Sequence, residues 1–340
     1  MVATRCRRHY LRDLGLARSV GLNAFQSYNA AMSEKKPQRV LITGCQGQVG
    51  HALVQRLAPD FQPIGYDRSG LDLSDLDRLA DKLHAAIEAH QPSALINAAA
   101  FTAVDRAESQ ESLAYDINAL APGITATVAA SHGLPMVHYS TDYVFDGQRD
   151  GAYSENDPTS PLSVYGRSKL AGEKAVVAAN GPHLILRTSW VFGAHGQNFL
   201  KTMLRLAQER DALRVVNDQI GAPTSAELIA QSTHTALTSL IGGADARDPR
   251  WGIYHLTASG HTSWHSYAKH LIARARAIGW PICVEDDAVE GIAAQDYPVA
   301  AARPMNSRLD TTKWQQAFGE TLPNWQVGVD QVLTNIPLQP

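Results

Sequence analysis

The sequence of 340 residues has little of three things. It holds only three cysteines, Cys6, Cys45 and Cys283, which cannot pair into a disulfide framework and whose spacing fits no zinc motif. Such usage implies buried or free thiols in a reducing compartment, so a cytoplasmic protein is expected. There is no excess of positive charge. The net charge is −3, which argues against nucleic acid and against an anionic membrane as partners, because both usually need a basic face. There is no long hydrophobic run either. The longest, around residues 95–104, is broken by Asn97 and Thr102; it is too short to span a bilayer and suits a buried strand with its following turn. No internal repeat is visible.

What remains is the composition of a globular protein, 44% hydrophobic and 19% charged. The length suffices for one large α/β domain with a smaller one, or for two ordinary domains. Residues 1–38 differ from the rest. They carry Arg5, Arg7, Arg8, Arg12 and Arg18, with Asp13 and Glu34 as the only acids, but no clear apolar face or cleavage site follows. Met32 stands just ahead of Ser33-Glu34-Lys35-Lys36-Pro37, as an ordinary start would. We read the segment as a mis-called start or a disordered arm in preference to a targeting signal.

Residues 39–43 form a β-branched run that ends in a glycine loop, and a helical pattern follows as far as Pro59. Strands are predicted at 63–67, at Leu71-Asp72-Leu73, at 94–100 and at 135–140. Ser74 is expected to cap a helix through Leu76, Leu79, Leu83 and Ile87, and a further helix is expected at 113–131. Ser163 would cap a helix at 164–179, followed by a strand at 183–188, a helix at 198–210, a segment at 213–216, a turn at Gly221-Ala222-Pro223-Thr224, a further helix and a late strand at 254–256. From about Ile282 the pattern shows two proline-containing loops and little period. Alternation of strand and helix implies parallel βαβ units, hence an α/β fold with a Rossmann-type doubly wound parallel sheet. Residues 39–188 would form mainly the dinucleotide domain. Residues 189–340 would form mainly a smaller C-terminal substrate-binding lobe, with segments near 213–222 and 252–278 returning to the first domain.

Chemistry enters at Gly44, Gly47 and Gly50. Placed between the first strand and first helix, the first glycine permits a tight turn, the second lets a pyrophosphate approach the backbone and the third lets helix and strand pack closely. The helix N-terminus then offers N–H groups to phosphates. Asp67 ends the second strand, where an acid can accept from adenosine ribose hydroxyls and favours NAD; the adjacent Arg68 could pair with a 2′-phosphate instead. The two signals conflict, so use of both NADH and NADPH is expected. Tyr165 and Lys169 form a Tyr-x-x-x-Lys pair on one helix face. An ammonium beneath a phenol stabilises the developing phenolate, whose ordinary pKa is about 10. The same lysine can bind the nicotinamide ribose. Thr141 stands just past the fifth strand, where doubly wound sheets bind ligands, and can donate to a substrate carbonyl while Tyr165 donates the proton. Asp142 on the same loop is either a loop cap or a partner for a sugar hydroxyl.

The segments TGCQGQVG, INAAAFTAVDRAES, HYSTDYVFDG, SPLSVYGRSKLAGE, LRTSWVFG, NDQIGAPTSAEL, YHLTASG and RPMNSRLDTTK together resemble the dTDP-4-dehydrorhamnose reductases, a family of extended short-chain dehydrogenases. The resemblance covers about residues 39–335. It implies reduction of the 4-keto group of dTDP-4-dehydro-L-rhamnose by NADPH or NADH, the last step of dTDP-L-rhamnose synthesis. It makes Thr141, Tyr165 and Lys169 the catalytic group and places Asp142 and Trp190 on the sugar. Trp190 suits that place, because an indole is a flat apolar wall with one donor. It also implies that Gln48, Val49 and Gly50 line the pyrophosphate, that Asp67, Asp72, Leu73, Ala98, Ala99 and Ala100 surround the adenosine half, and that Tyr139 lies along the cofactor. For the dTDP diphosphate, Arg303 and Lys201 are candidates on charge alone.

Members of that family are dimers bridged by magnesium through three glutamates per subunit. Here His51-Ala52-Leu53 and Gln326 stand where two of the acids would be, and only Glu227 remains. Neutral groups hold a hard divalent ion poorly, so magnesium is not expected, and the chain is expected as a monomer or weak homodimer. Other readings are an epimerase or dehydratase that regenerates its cofactor, or a non-catalytic regulatory homologue. The last could dispense with the Tyr/Lys pair, whereas Thr141, Tyr165 and Lys169 are all present, which argues against it.

Overall fold

The computed structural model describes residues 37–241 and 247–337. Cys6, the arginines of the leader and Met32 lie outside the described residues. In chain order the first half gives β1 (Arg39–Thr43), α1 (Gln48–Leu57), β2 (Gln62–Tyr66), α2 (Leu76–His90), β3 (Ala94–Asn97), α3 (Val104–Ser109), α4 (Glu111–Tyr115), α5 (Ala121–Ser131), β4 (Met136–Thr141), α6 (Val164–Ala178) and β5 (His183–Thr188). The second half gives β6 (Val191–Phe192), α7 (Phe199–Glu209), β7 (Leu213–Val216), β8 (Ile220–Gly221), β9 (Thr224–Ser225), α8 (Ala226–Ile241), β10 (Gly252–His255), β11 (Thr262–Ser263), α9 (Trp264–Ala277), β12 (Val289–Ile292), α10 (Thr312–Phe318) and α11 (Trp325–Asn335).

Six strands form one parallel sheet in the order β10-β5-β4-β3-β1-β2. The order reverses between β1 and β3, and at such a switch point the chain leaves a crevice beyond the strand ends. The sequence pattern explains the two layers on either side. Strand side chains alternate between faces. Val40, Ile42, Ala94, Ile96, Leu184 and Leu186 point to one core, shared with Leu53 and Leu57 of α1 and Ile229 and Leu237 of α8. Leu41, Leu95 and Ile185 point to the other, shared with Leu79 and Leu83 of α2, Val128 of α5 and Val176 of α6. Each such valine, leucine or isoleucine, fully buried, contributes about 1.5–3 kcal/mol. A separate core joins Leu200, Met203 and Leu204 of α7 to Tyr267 and Leu271 of α9 and Trp325 and Val329 of α11. Of the late segments, β10 supplies the sixth strand of the large sheet, whereas β7 pairs with β12 outside it.

Four local expectations are corrected. Leu71 and Leu73 are buried as a strand would bury them, but residues 71–73 join no ladder. The backbone is tied locally instead, with the Leu71 N–H on the Asp67 carbonyl and the Asp72 carboxylate accepting from the Ser74 N–H and hydroxyl. Ser74 is therefore spent on Asp72, and Asp75 takes the position ahead of α2. The helix expected at 113–131 is interrupted by a π-helical turn, Asp116–Leu120. Pro122 has no N–H to return to the Asn118 carbonyl, so the regular ladder cannot run through. The C-terminal part, in which little period was visible, contains β12 and two helices; α10 has seven residues and buries only Trp314, too little to show a period.

The π turn matters because α6 packs directly on it. A Cβ added to Gly172 would lie 2.0 Å from the Asn118 carbonyl oxygen. Gly172→Ala should therefore cost about 1–3 kcal/mol through overpacking. Thermal unfolding checks this; an unchanged melting temperature would show that α6 has slack against the turn.

Candidate active site

The glycine loop closes at the switch point. Gly44 has φ of +69° and turns on itself through the Gly47 N–H, 2.9 Å from its carbonyl. A Cβ on Gly44 would fall 2.7 Å from the Ala99 backbone, and one on Gly50 would fall 2.1 Å from the Gly44 oxygen. Helix α1 thus begins against the strand ends with no acid in its first turn, leaving its positive end bare. Val49 and Ala98 pack partly against the core, and Ala98 donates to the Thr43 carbonyl at 3.2 Å. Asp67 accepts from Ser69 N–H and hydroxyl and from Gly70 N–H on one oxygen, and from Gln46 at 2.7 Å on the other. The Ser69 and Gly70 donors hold its carboxyl below the ordinary range, so it is ionised. Arg68 is exposed and paired with Asp72 at 3.2 Å. Leu73 lies buried beneath. A cradle that a Cβ would fill, a bare helix end and an anchored acid fit a dinucleotide.

A strap that the sequence reading missed lies across this loop. His195 donates through Nε2 to the Gln46 carbonyl at 2.7 Å and stacks on His51 with centroids 4.1 Å apart. The Asn198 amide donates to Gln48 and to the Gly193 carbonyl, both at 2.8 Å. The available signal was the pair Gly193 and Gly196 on either side of His195. Lys201 donates to the Gly196 carbonyl at 3.0 Å, which places its amine at the strap.

Strand β4 and helix α6 bring the chemistry together. Ser163 accepts from the Gly166 N–H at 3.2 Å and caps α6 as its sequence position suggested. Gly166 lets the helix approach closely, because a Cβ there would meet the Tyr143 carbonyl oxygen at 2.3 Å. The Thr141 hydroxyl neighbours the Tyr165 phenol, donates to Asp142 Oδ1 at 3.0 Å and accepts from the Tyr143 N–H. Burial, aided by the Asp142 charge and opposed by Thr141, pushes the Tyr165 phenol up to about 12. The Lys169 ammonium donates to the Tyr139 carbonyl at 2.6 Å; burial pulls it down to about 8, with Glu173 opposing. Asp142 is buried and pushed up to about 6 by burial, against the hydrogen bonds of Ser307 and Thr141. Its Oδ2 is itself buried and meets no partner at full hydrogen-bond geometry.

The other expected residues fall into two groups. Trp190 has a left-handed backbone, φ +49°, strained for a bulky residue, and stacks on Trp264 with centroids 3.6 Å apart. Gly221 makes room for its indole, since a Cβ there would lie 2.5 Å away. Arg303 is held by Asp105 at 2.8 and 3.2 Å and faces Tyr143, so it borders the catalytic group but its charge is engaged. Tyr139 sends its phenol away from the crevice to the Thr233 hydroxyl at 2.8 Å, and only its carbonyl reaches the site. Glu227 lines a cavity of about 550 Å³ with Ala52 and Gln331, and Gln326 contacts His270. Among the described residues no three His, Cys, Asp or Glu side chains gather to hold a metal, and no helix is long and apolar enough to cross a membrane.

A doubly wound sheet with a glycine cradle and a Thr–Tyr–Lys group at its carboxyl edge defines a short-chain dehydrogenase or reductase. The sequence profile of the RmlD substrate binding domain matches residues 38–337. The dTDP-4-dehydrorhamnose reductase of Escherichia coli K12 is 44% identical over 297 residues, 87% of this chain and 97% of that protein. A crystal structure of the Bacillus anthracis dTDP-4-dehydrorhamnose reductase in complex with NADP superposes with a TM-score of 0.78 at 32% identity, covering 88% of this chain and all of that one. The Clostridium acetobutylicum ortholog also gives 0.78 at 32%, with 88% and 99% covered. The chain belongs to the dTDP-4-dehydrorhamnose reductase family.

If Asp67 faces the adenosine ribose, Asp67→Asn should raise the kcat/KM ratio of NADPH to NADH by roughly tenfold, the scale of one hydrogen bond to a charged group. Initial rates with the two cofactors measure it. An unchanged ratio would remove Asp67 from the ribose site.

Proposed function

We propose that the chain reduces the 4-keto group of dTDP-4-dehydro-L-rhamnose with NADPH or NADH to give dTDP-L-rhamnose. The observation that carries this is the Thr141–Tyr165–Lys169 group at the crevice, in a chain 44% identical to a reductase of that name. Gln48, Val49 and Gly50 would hold the pyrophosphate at the α1 end, and Asp67, Asp72, Leu73 and Ala98 to Ala100 the adenosine half. The reduced nicotinamide, when bound, supplies the hydride for C4. The chain's own residues handle the oxygen. Tyr165 donates to it, as does Thr141 once its single hydroxyl proton turns from Asp142 to the substrate, and donors aimed where charge develops are usually the largest catalytic contribution. Tyr165 gives up its proton, and Lys169, cationic at neutral pH, lowers the cost of the phenolate. Asp142 would accept from a sugar hydroxyl, and Trp190 would wall the deoxysugar.

We also place the reaction in the cytoplasm, and read the chain as a monomer or weak homodimer independent of magnesium. Size-exclusion chromatography and activity should be unchanged by EDTA. An EDTA-sensitive dimer would overturn that part of the reading.

Tyr165→Phe should lower kcat by about 10²–10⁴-fold with little change in KM, the usual worth of a general acid. Retention of kcat within about tenfold would remove Tyr165 from that role. The pH dependence has a definite sign. Asp142 becomes a carboxylate only above about pH 6, so KM should rise as pH falls through that value, and this acid limb should vanish in Asp142→Asn. The primary assay is substrate-dependent NAD(P)H oxidation. Turnover with no net oxidation would point to an epimerase or dehydratase instead.

A further inference from the structure

Behind Lys169 lies a charge pair outside the group assigned above. Glu173, one turn further along α6, is 2% exposed and Arg187 on β5 is 3% exposed. The carboxylate accepts from Arg187 Nε at 2.9 Å and Nη2 at 2.7 Å, and from the Ser140 hydroxyl at 2.5 Å. The guanidinium lies 5.2 Å from the Phe145 ring centroid and 3.5 Å from His255 Nε2. His255 donates through Nδ1 to the Tyr153 carbonyl, and burial beside Arg187 keeps it neutral, its pKa lowered to about 3.

A buried ion pair is weak evidence for stability, because apolar replacements of similar volume are often neutral or better. Its position gives it another role. Facing the Lys169 ammonium are the Tyr139 carbonyl and His138 from β4 and Glu173 from α6, the helix that carries Tyr165 one turn earlier. His138 is fully buried and bonded to Asn97; burial and the lysine charge push its pKa well down, so it is neutral. Arg187 meets this cluster through Glu173. Among the described residues Glu173 is the carboxylate whose charge offsets the desolvation of Lys169.

We propose that Glu173, clamped by Arg187 and Ser140, is a positioning residue for the reaction: it keeps Lys169 cationic where water is excluded, and through Ser140 it fixes the end of β4 that carries Thr141. The catalytic meaning of this rests on the reductase reading above. Helix spacing supports the arrangement, since residues four apart share a face. So does the short path from Ser140 to its neighbour Thr141.

Glu173→Gln alone strands Arg187 as an unpaired buried cation, so the test replaces the pair. Two neutral pairs are made, Glu173→Gln with Arg187→Met and Glu173→Leu with Arg187→Met, so that a packing fault in one leaves the other to decide. The titration of Lys169 is followed in the full chain without cofactor, by NMR of lysine labelled at the ε-carbon, with the resonance assigned by its loss in Lys169→Met. Lys169 should titrate lower by about one pH unit or more in the neutral pairs, and the alkaline limb of kcat/KM should move with it. Because the lysine pKa falls, the charged form and the activity are lost at lower pH than in the parent. A titration that stays where the parent has it, in a folded neutral pair, overturns the proposal whatever the melting temperature does. If the parent oxidises no NAD(P)H with its substrate, the reductase reading fails, while the Lys169 titration still decides whether Glu173 holds the charge.

Discussion

The Lys169 ammonium donates to the Tyr139 carbonyl at 2.6 Å while 2% of the residue reaches solvent. A cation so placed loses several kcal/mol of hydration unless partners replace the water. The surrounding architecture supplies those partners from three directions. Strand β4 gives a backbone carbonyl, α6 gives the Glu173 carboxylate, and β5 gives the guanidinium that keeps that carboxylate in place. The two histidines of the region, His138 and His255, are driven neutral by burial and add no repulsion. The proton donor and its supporting charge therefore share a low-dielectric space, where each charge acts more strongly than in water.

Such a cluster needs α6 very near the sheet edge and the turns around it, and glycine makes that approach possible. Gly166 lies against the Tyr143 carbonyl and Gly172 against the Asn118 carbonyl. The second contact depends in turn on Pro122, whose missing N–H leaves the π turn in which Asn118 sits. Asn118 uses its side chain to hold Phe101 N–H and carbonyl and the Ser168 hydroxyl. A local defect in one helix thus sets the height of the next, and with it the meeting of Tyr165 and Thr141.

The parts visible in the sequence were those with a local cause. Gly44 needs a positive φ and Gly50 needs contact with a backbone oxygen, so their spacing announces the cradle without knowledge of anything distant. Tyr165 and Lys169 show themselves by helix periodicity. Leu71 and Leu73 misled because alternation reports burial, and burial is what they have; a ladder partner is a property of another segment. The strap from His195 to Asn198 and the Glu173–Arg187 clamp were missed for the same reason. Their meaning lies in contacts across 149 residues for His195 with Gln46 and 14 for Arg187 with Glu173, which no local period records.

The proposed independence from magnesium rests on where the donors come from. Ala52, Glu227 and Gln326 lie on α1, α8 and α11, and together they offer one carboxylate. Glu320 lines the same cavity as Glu227, but its carboxylate already accepts from the Ser232 hydroxyl at 2.9 Å and the Trp314 indole at 2.7 Å, so few anionic oxygens are left for a divalent ion that prefers six or more. On that face Arg56 already pairs within the chain, with Gln231 at 2.5 Å and Asp60 at 3.8 Å. The catalytic donors lie elsewhere, on β4 and α6 at the carboxyl edge of the sheet, and each is oriented by neighbours from the same chain. On the proposed reading, the neutral Ala52 and Gln326 weaken a metal bridge between two copies without touching the group on β4 and α6.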